Sequence, residues 1–204
     1  MSGPAAIVVP ALKRHTATVI CAHGLGDSGA GWVFLAESFR RLNKFEEVRF
    51  VFPNAPSIPI TINGGVRMPG WYDITSFSSI GRNEDVAGIE RSQKALHEII
   101  AAEVTNGIPS NRIVLGGFSQ GGAMSLFSGL TCPQRLGGVF ALSSYLLLQD
   151  KLQAKIAAAG DANKETKIFM GHGDRDEVVK YEFGKLTAEK VKEWGYNVDF
   201  QTYR

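Results

Sequence analysis

The chain has 204 residues, 44% of them hydrophobic, enough to bury one substantial core and to favour a single domain over residues 1–204. Its 22 lysines and arginines nearly balance 20 acidic residues, and a net charge of +2 supplies no field that would recruit nucleic acid. The apolar run before Pro10 has no cationic lead, residue 2 is Ser, and no window reaches the roughly 20 apolar residues of a membrane span, so neither signal peptide, myristoyl anchor nor transmembrane helix is expected.

Apolar runs rich in β-branched residues alternate with longer segments of helical period, the rhythm of a mostly parallel central sheet with helices on both faces, an α/β fold. Residues 16–22 read as a buried strand ending at HGLGDSG, 31–42 as a helix, and 48–52 as a strand stopped by Pro53. From Asn54 to Arg82 the density of proline and glycine predicts interrupted regular structure. The longest helical pattern starts at Asn83 or Glu84, carries Val86, Ile89, Leu96, Ile100 and Val104 on one face, and ends at Asn106-Gly107. Strand 112–116, helix 120–130 and strand 138–142 follow, then a variable insertion over 146–164 that is helical around 151–159. Strand 167–171, helix 181–194 and strand 198–203 complete the pattern. Cys21 and Cys132 stand in no metal or redox spacing and read as reduced thiols of a cytosolic protein.

Gly117-Phe118-Ser119-Gln120-Gly121 fits the G-x-S-x-G pattern between an apolar strand and a helix start. A serine raised on so sharp a turn occupies a strained backbone conformation, and side chains two residues away on either side would collide. Ser119 is therefore the candidate nucleophile. The first N–H groups of the following helix are unpaired and lie at the positive end of its dipole, which suits a developing oxyanion and makes Gln120 N–H one donor. HGLGDSG follows an early strand and can turn N–H groups toward the same place, and Leu25 N–H is the second candidate. His23, just before Gly24 at a strand end, reads as a brace for that loop in preference to a catalytic base.

In the α/β-hydrolase order the acid follows the serine and the histidine follows the acid. KIFMGHGDRDEVV supplies an apolar strand leading into a turn that presents Asp174 and Asp176, either of which fits the acid. All four histidines, His15, His23, His97 and His172, precede Asp176, so chain order gives none of them the base.

The stretches HGLGDSG, MPGWYDI, NGIPSNRIVLGGFSQGGAMSL and HGDRDEVV together resemble the acyl-protein thioesterase (lysophospholipase/carboxylesterase) family of small α/β-hydrolases. The likeness runs from about Ala6 to Arg204. It implies the α/β-hydrolase fold, with Asp176 as triad acid and Asp174 as a loop carboxylate. In the family the histidine comes in a turn after the last strand and is followed by a helix. Neither is found in residues 1–204, so the expectation is an α/β-hydrolase domain incomplete at its C-terminal end, nearly inactive as it stands, from an enzyme that works at full length. Relatives usually have proline after the triad acid and again a few residues on, where Glu177 and Lys180 stand here.

The segment SIPITINGGVRMPGWYDI is expected to expose apolar side chains as an acyl-chain wall. Family resemblance places that loop over an acyl channel and makes Trp71, Met68, Ile60 and Val178 the substrate-binding candidates. The implied substrate is an S-palmitoylated protein, with lysophospholipid as a second one, met by transient contact with a membrane surface in the cytoplasm, the nucleus being a second location. No metal or cofactor is implied. Two other readings fit the motifs: a carboxylesterase or lysophospholipase on lipid or small esters, and a non-catalytic acyl-binding relative.

Overall fold

The computed structural model describes residues 4–76 and 84–204. In chain order they form β1 (Ile7–Val9), β2 (Ala17–Ala22), α1 (Val33–Arg41), β3 (Val48–Phe52), β4 (Ser57–Ile60), β5 (Val66–Pro69), α2 (Val86–Thr105), β6 (Ile113–Phe118), α3 (Gln120–Leu130), β7 (Gly138–Leu142), α4 (Gln149–Ala158), β8 (Ile168–Gly173), α5 (Tyr181–Glu193) and β9 (Val198–Tyr203). Seven strands make one sheet in the order β1-β3-β2-β6-β7-β8-β9. β1 is antiparallel to β3, and every other pairing in that sheet is parallel.

From β2 the chain crosses to β3 on one side and then to β6 on the other, so the winding reverses between β2 and β6. In open α/β sheets ligands bind at such a switch point, beyond the carboxyl ends of the strands. Ala22 pairs with Gly117, so the loop after β2 and the turn after β6 leave the sheet level with one another.

Alternation along the strands sends two apolar sets to opposite faces. One cluster packs Val48, Phe50, Phe52, Cys21 and Val9 against Ala36 and its neighbours in α1. The larger cluster joins Ile20, Leu115, Val139, Ile168 and Met170 to α2, α3, α4 and α5. Helices thus lie on both faces, as expected for α/β-hydrolases, but unequally. On the α1 face an apolar groove of about 580 Å³ runs beside α1 across β2, β3 and β6 to β7 and β8, lined by residues including Val19, Phe39, Phe50, Phe140 and Phe169.

The structure corrects or adds to these expectations at several places. Residues 57–69 form a two-stranded hairpin, with Ile58 opposite Met68 and Pro59 opposite Arg67, where interrupted structure was expected; Pro59 needs no ladder donor in a ribbon with two free edges. The segment read as an insertion is helical as expected, and at its head Leu146, Leu147 and Leu148 are buried in the main core. The three-residue β1 carries too short a pattern to be read and exists by pairing with β3. At the head of α2, Asp85 accepts the Gly88 N–H at 2.9 Å and the helix begins at Val86; Asn83, an expected starting point, lies outside the described residues.

Candidate active site

Ser119 follows β6 directly and precedes α3 with φ 53° and ψ −121°, a conformation that costs a non-glycine residue on the order of 1–3 kcal/mol. Surrounding hydrogen bonds hold it there. Its N–H donates to Leu142 O at 2.8 Å at the end of β7, and its carbonyl accepts the Ala123 N–H at 2.9 Å to open the helix. A Cβ on Gly117 would stand 2.4 Å from Ala22 O and 2.7 Å from Gly121, and one on Gly121 would stand 2.3 Å from Ala22 O and 2.4 Å from His23 O. Both glycines therefore let β2, the turn and α3 close onto one another, a tighter reason than collision within the turn itself.

The loop after β2 packs on Ser119: a Cβ on Gly24 would lie 3.3 Å from the Phe118 ring and 3.5 Å from Ser119 Cβ. Gly26, at φ 79°, donates its N–H to Pro69 O at 2.8 Å, and the Asp27 N–H reaches Gly24 O at 3.3 Å. Leu25 N–H and Gln120 N–H have no hydrogen-bond partner among the described residues. Two unclaimed donors thus flank the serine, one of them at the positive end of α3.

His23 is fully buried, and both ring nitrogens are used. Nε2 accepts the Ala55 N–H at 3.0 Å, so Nδ1 carries the proton and donates to Gly24 O at 2.7 Å. Burial holds the imidazole below its ordinary pKa and keeps it neutral. Both ring nitrogens are thus committed to backbone groups of the loops after β2 and β3.

Asp176 lies in the turn after β8, two strands along the sheet from β6. Its Oδ1 accepts the N–H groups of Val178 at 3.0 Å and Val179 at 2.9 Å, and Oδ2 lies 3.7 Å from His172 Nε2. His172 is buried beneath α5 and donates from Nε2 to Val179 O at 2.8 Å, closing the turn around the carboxylate. Asp174 is exposed and contributes its N–H to Tyr203 O at 2.8 Å. The remaining histidines are engaged elsewhere, His15 with Thr18 at 2.9 Å and His97 with Ser128 O at 2.8 Å.

Of the four residues expected to line an acyl wall, two belong to the interior. Ile60 is 0% and Trp71 2% exposed, both against the core. The indole N–H of Trp71 donates to His23 O at 2.8 Å, and its ring packs at 5.2 Å on the His23 ring. Hairpin closure gives these side chains an interior to enter, which an irregular loop would not. Met68 is half-buried, with its sulfur 3.8 Å from where a Gly26 Cβ would be, and Val178 is 62% exposed. The side chain of Gln120 was not foreseen: Oε1 accepts the Trp71 N–H and Nε2 donates to Tyr72 O, each at 2.7 Å. A glutamine at the first position of an apolar helix was the signal available in the sequence. Below it, the Tyr72 and Tyr145 hydroxyls meet at 2.7 Å, and burial pushes Tyr145 up to about 12.

Residues 4–204 match the phospholipase/carboxylesterase family. The chain is 56% identical over 201 residues to acyl-protein thioesterase 1 of Neurospora crassa, covering 97% of this chain and 82% of that protein. It is 55% identical over 207 residues to acyl-protein thioesterase 1 of Emericella nidulans, covering 98% and 86%. Among solved structures, acyl-protein thioesterase 2 of Zea mays superposes with a TM-score of 0.85 at 26% identity, over 100% of this chain and 90% of that one. SOBER1 of Arabidopsis thaliana gives 0.83 at 30% identity, over 92% and 88%.

Proposed function

The chain belongs to the phospholipase/carboxylesterase family of α/β-hydrolases, and from that premise we propose that it is an acyl-protein thioesterase acting through an acyl-enzyme on Ser119. The observation that carries the reading is the strained Ser119 turn with unclaimed N–H groups of Leu25 and Gln120 beside it, in a chain more than half identical to thioesterases.

Ser119 Oγ attacks the thioester carbonyl and the charge that gathers on its oxygen is met by the two N–H groups, each such donor being worth about 10²–10³ in kcat. Collapse breaks the C–S bond and expels the cysteine sulfur, a good leaving group because its thiol has a pKa of about 8.5. Water then attacks the acyl-Ser119 ester, the fatty acid leaves, and the serine regains its proton. Asp176 orients the imidazole that moves these protons. Strands spaced at roughly 4.8 Å put the ends of β6 and β8 roughly 10 Å apart, a gap that one imidazole bonded at both nitrogens spans. Engagement of His15, His23, His97 and His172 elsewhere argues against each of them as that base.

The substrate in this reading is an S-acylated, above all palmitoylated, cysteine in a protein, with lysophospholipid as a second ester. Met68 and Val178 remain acyl-contact residues at the mouth of the site. Val66 at the hairpin tip, 59% exposed, is the place for transient contact with a membrane surface. The buried, unpaired thiols of Cys21 and Cys132 suit the reducing cytoplasm and nucleus. In the natural gene product, Ser119→Ala is expected to abolish both fluorophosphonate labelling and release of palmitate from a palmitoyl-cysteine peptide. Undiminished release by that variant overturns the proposal.

A further inference from the structure

Two oxyanion donors on different elements are useful only if their separation is held to a few tenths of an ångström. Leu25 sits in the loop after β2 and Gln120 at the head of α3, and a chain of buried groups joins them. We infer that the side chain of Gln120, the indole of Trp71 and the ring of His23 form one hydrogen-bonded strut that aims the Leu25 N–H and fixes its distance from the Gln120 N–H, which makes Trp71 and His23 positioning residues of the thioesterase reaction. The inference rests on the function proposed above.

The strut starts at the residue that carries one donor. The Gln120 amide is held at both ends, Oε1 by the Trp71 N–H and Nε2 by Tyr72 O, each at 2.7 Å, and a flipped amide would face donor to donor and acceptor to acceptor. Trp71 is anchored again from α2, where Ser92 Oγ donates to its carbonyl at 2.5 Å. Its indole N–H then reaches across to His23 O at 2.8 Å, and the two rings pack against each other.

The last link is geometric. Gly24 O and Leu25 N–H belong to one planar trans peptide and point in opposite directions. His23 Nδ1–H takes Gly24 O at 2.7 Å, so the ring that pulls this carbonyl inward turns the Leu25 N–H outward. The Ala55 N–H, donating to Nε2 at 3.0 Å, fixes the tautomer that makes this possible. Gln120, Trp71 and His23 are all buried to 2% exposure or less, so solvent does not compete for any bond in the series.

The test compares the natural gene product with Trp71→Phe, each titrated for active serine with a fluorophosphonate so that unfolded protein drops out. Readouts are kcat and KM on a short acyl thioester and the Ki of a trifluoromethyl ketone, whose serine adduct carries the oxyanion. A strut role predicts a loss of about tenfold or more in kcat per active site, an equal rise in Ki, and KM within about twofold, since a weakened donor arm acts on the charged species alone. A rise in KM with kcat and Ki unchanged, as an acyl-wall role for Trp71 would give, overturns the inference, and so do parent constants per active site. Gln120→Glu is the second variant: its acid form can donate to Tyr72 O as the amide does, so its kcat/KM relative to the parent is expected to rise as pH falls. A ratio flat with pH contradicts the strut. Failure of the thioesterase reading itself would appear separately, as full turnover by Ser119→Ala.

Discussion

Replacing Gly121 by alanine tests the closure of β2 onto α3 most directly. In a helix interior alanine is favoured over glycine by about 1 kcal/mol, so propensity alone predicts stabilisation. Packing opposes it: the new Cβ would lie 2.3 Å from Ala22 O and 2.4 Å from His23 O, both backbone atoms with no rotamer to change. The loop would have to retreat by roughly an ångström to regain ordinary contact, and overpacking of this kind costs about 1–3 kcal/mol or more. We expect a net loss of about 1–2 kcal/mol, read as a fall in Tm of roughly 2–8 °C for a chain of this size. The catalytic loss should be larger, because His23 O accepts the Trp71 indole and Gly24-Leu25 follows it. Displacing the Leu25 donor is expected to lower kcat/KM by about 10²–10³. Thermal unfolding and thioester hydrolysis by the natural gene product check both. At Gly138 a Cβ meets nothing nearer than 3.7 Å, so Gly138→Ala is the control and should lower neither quantity. A Gly121→Ala enzyme with parental Tm and kcat/KM would refute the reasoning.

Two further outcomes follow from the surroundings of histidines. Burial lowers the pKa of His23 and His97 below the ordinary 6.5, so the folded state binds these protons less readily than the unfolded one. Their contribution to stability is complete above about pH 6.5 and is lost as pH falls through the lowered values; denaturant melts between pH 5 and 8 should show this, with a shallower fall in His97→Gln, and equal slopes would count against it. In α5, a Cβ on Gly184 would stand 2.1 Å from His172 Nδ1. Gly184→Ala should push that ring off Val179 O, loosen the turn that holds Asp176 and lower kcat by about tenfold with KM little changed, and unaltered kcat would mean that His172 does not position the acid.

The elements that the sequence made legible are those whose own residues decide them. Inner parallel strands are near-continuous apolar runs, and β3 and β7 begin and end where the runs do, while β9, at the sheet edge, keeps its expected bounds on a mixed sequence. α3 starts on the residue after Ser119 because the turn allows no other place. The apolar face of α2 is present as Ile89, Leu96 and Ile100, but it also buries Glu103, which accepts the Thr18 hydroxyl at 2.6 Å and lies 3.6 Å from Arg49. No periodicity announces a buried carboxylate whose partners lie in other strands. Trp71 and Ile60 were misplaced for a related reason. Their neighbours in sequence include prolines and glycines, and Trp71 is held inside by partners far along the chain: Gln120 Oε1, 49 residues away, accepts its backbone N–H, and His23 O, 48 residues away, accepts its indole N–H.

The spacing of the Ser119 and Asp176 turns is invisible in the sequence for a different physical reason: it is set by a strand that contributes no candidate side chain. Ser119 donates its N–H to Leu142 O, and Ser143 donates its own to Gly171 O, each at 2.8 Å, so the end of β7 is bonded on one side to the Ser119 turn and on the other to β8. The register Phe118–Leu142–Gly171 repeats the same statement in the ladder. A one-residue slip of β7 would turn every side chain on that strand to the other face and carry its valine and alanine out of the core, so the burial of Val139 and Ala141 fixes the register from within. Hydrophobic packing in the middle of the sheet therefore decides how far apart Ser119 and Asp176 stand at its rim, and the distance that the chemistry requires is a property of residues that take no part in it.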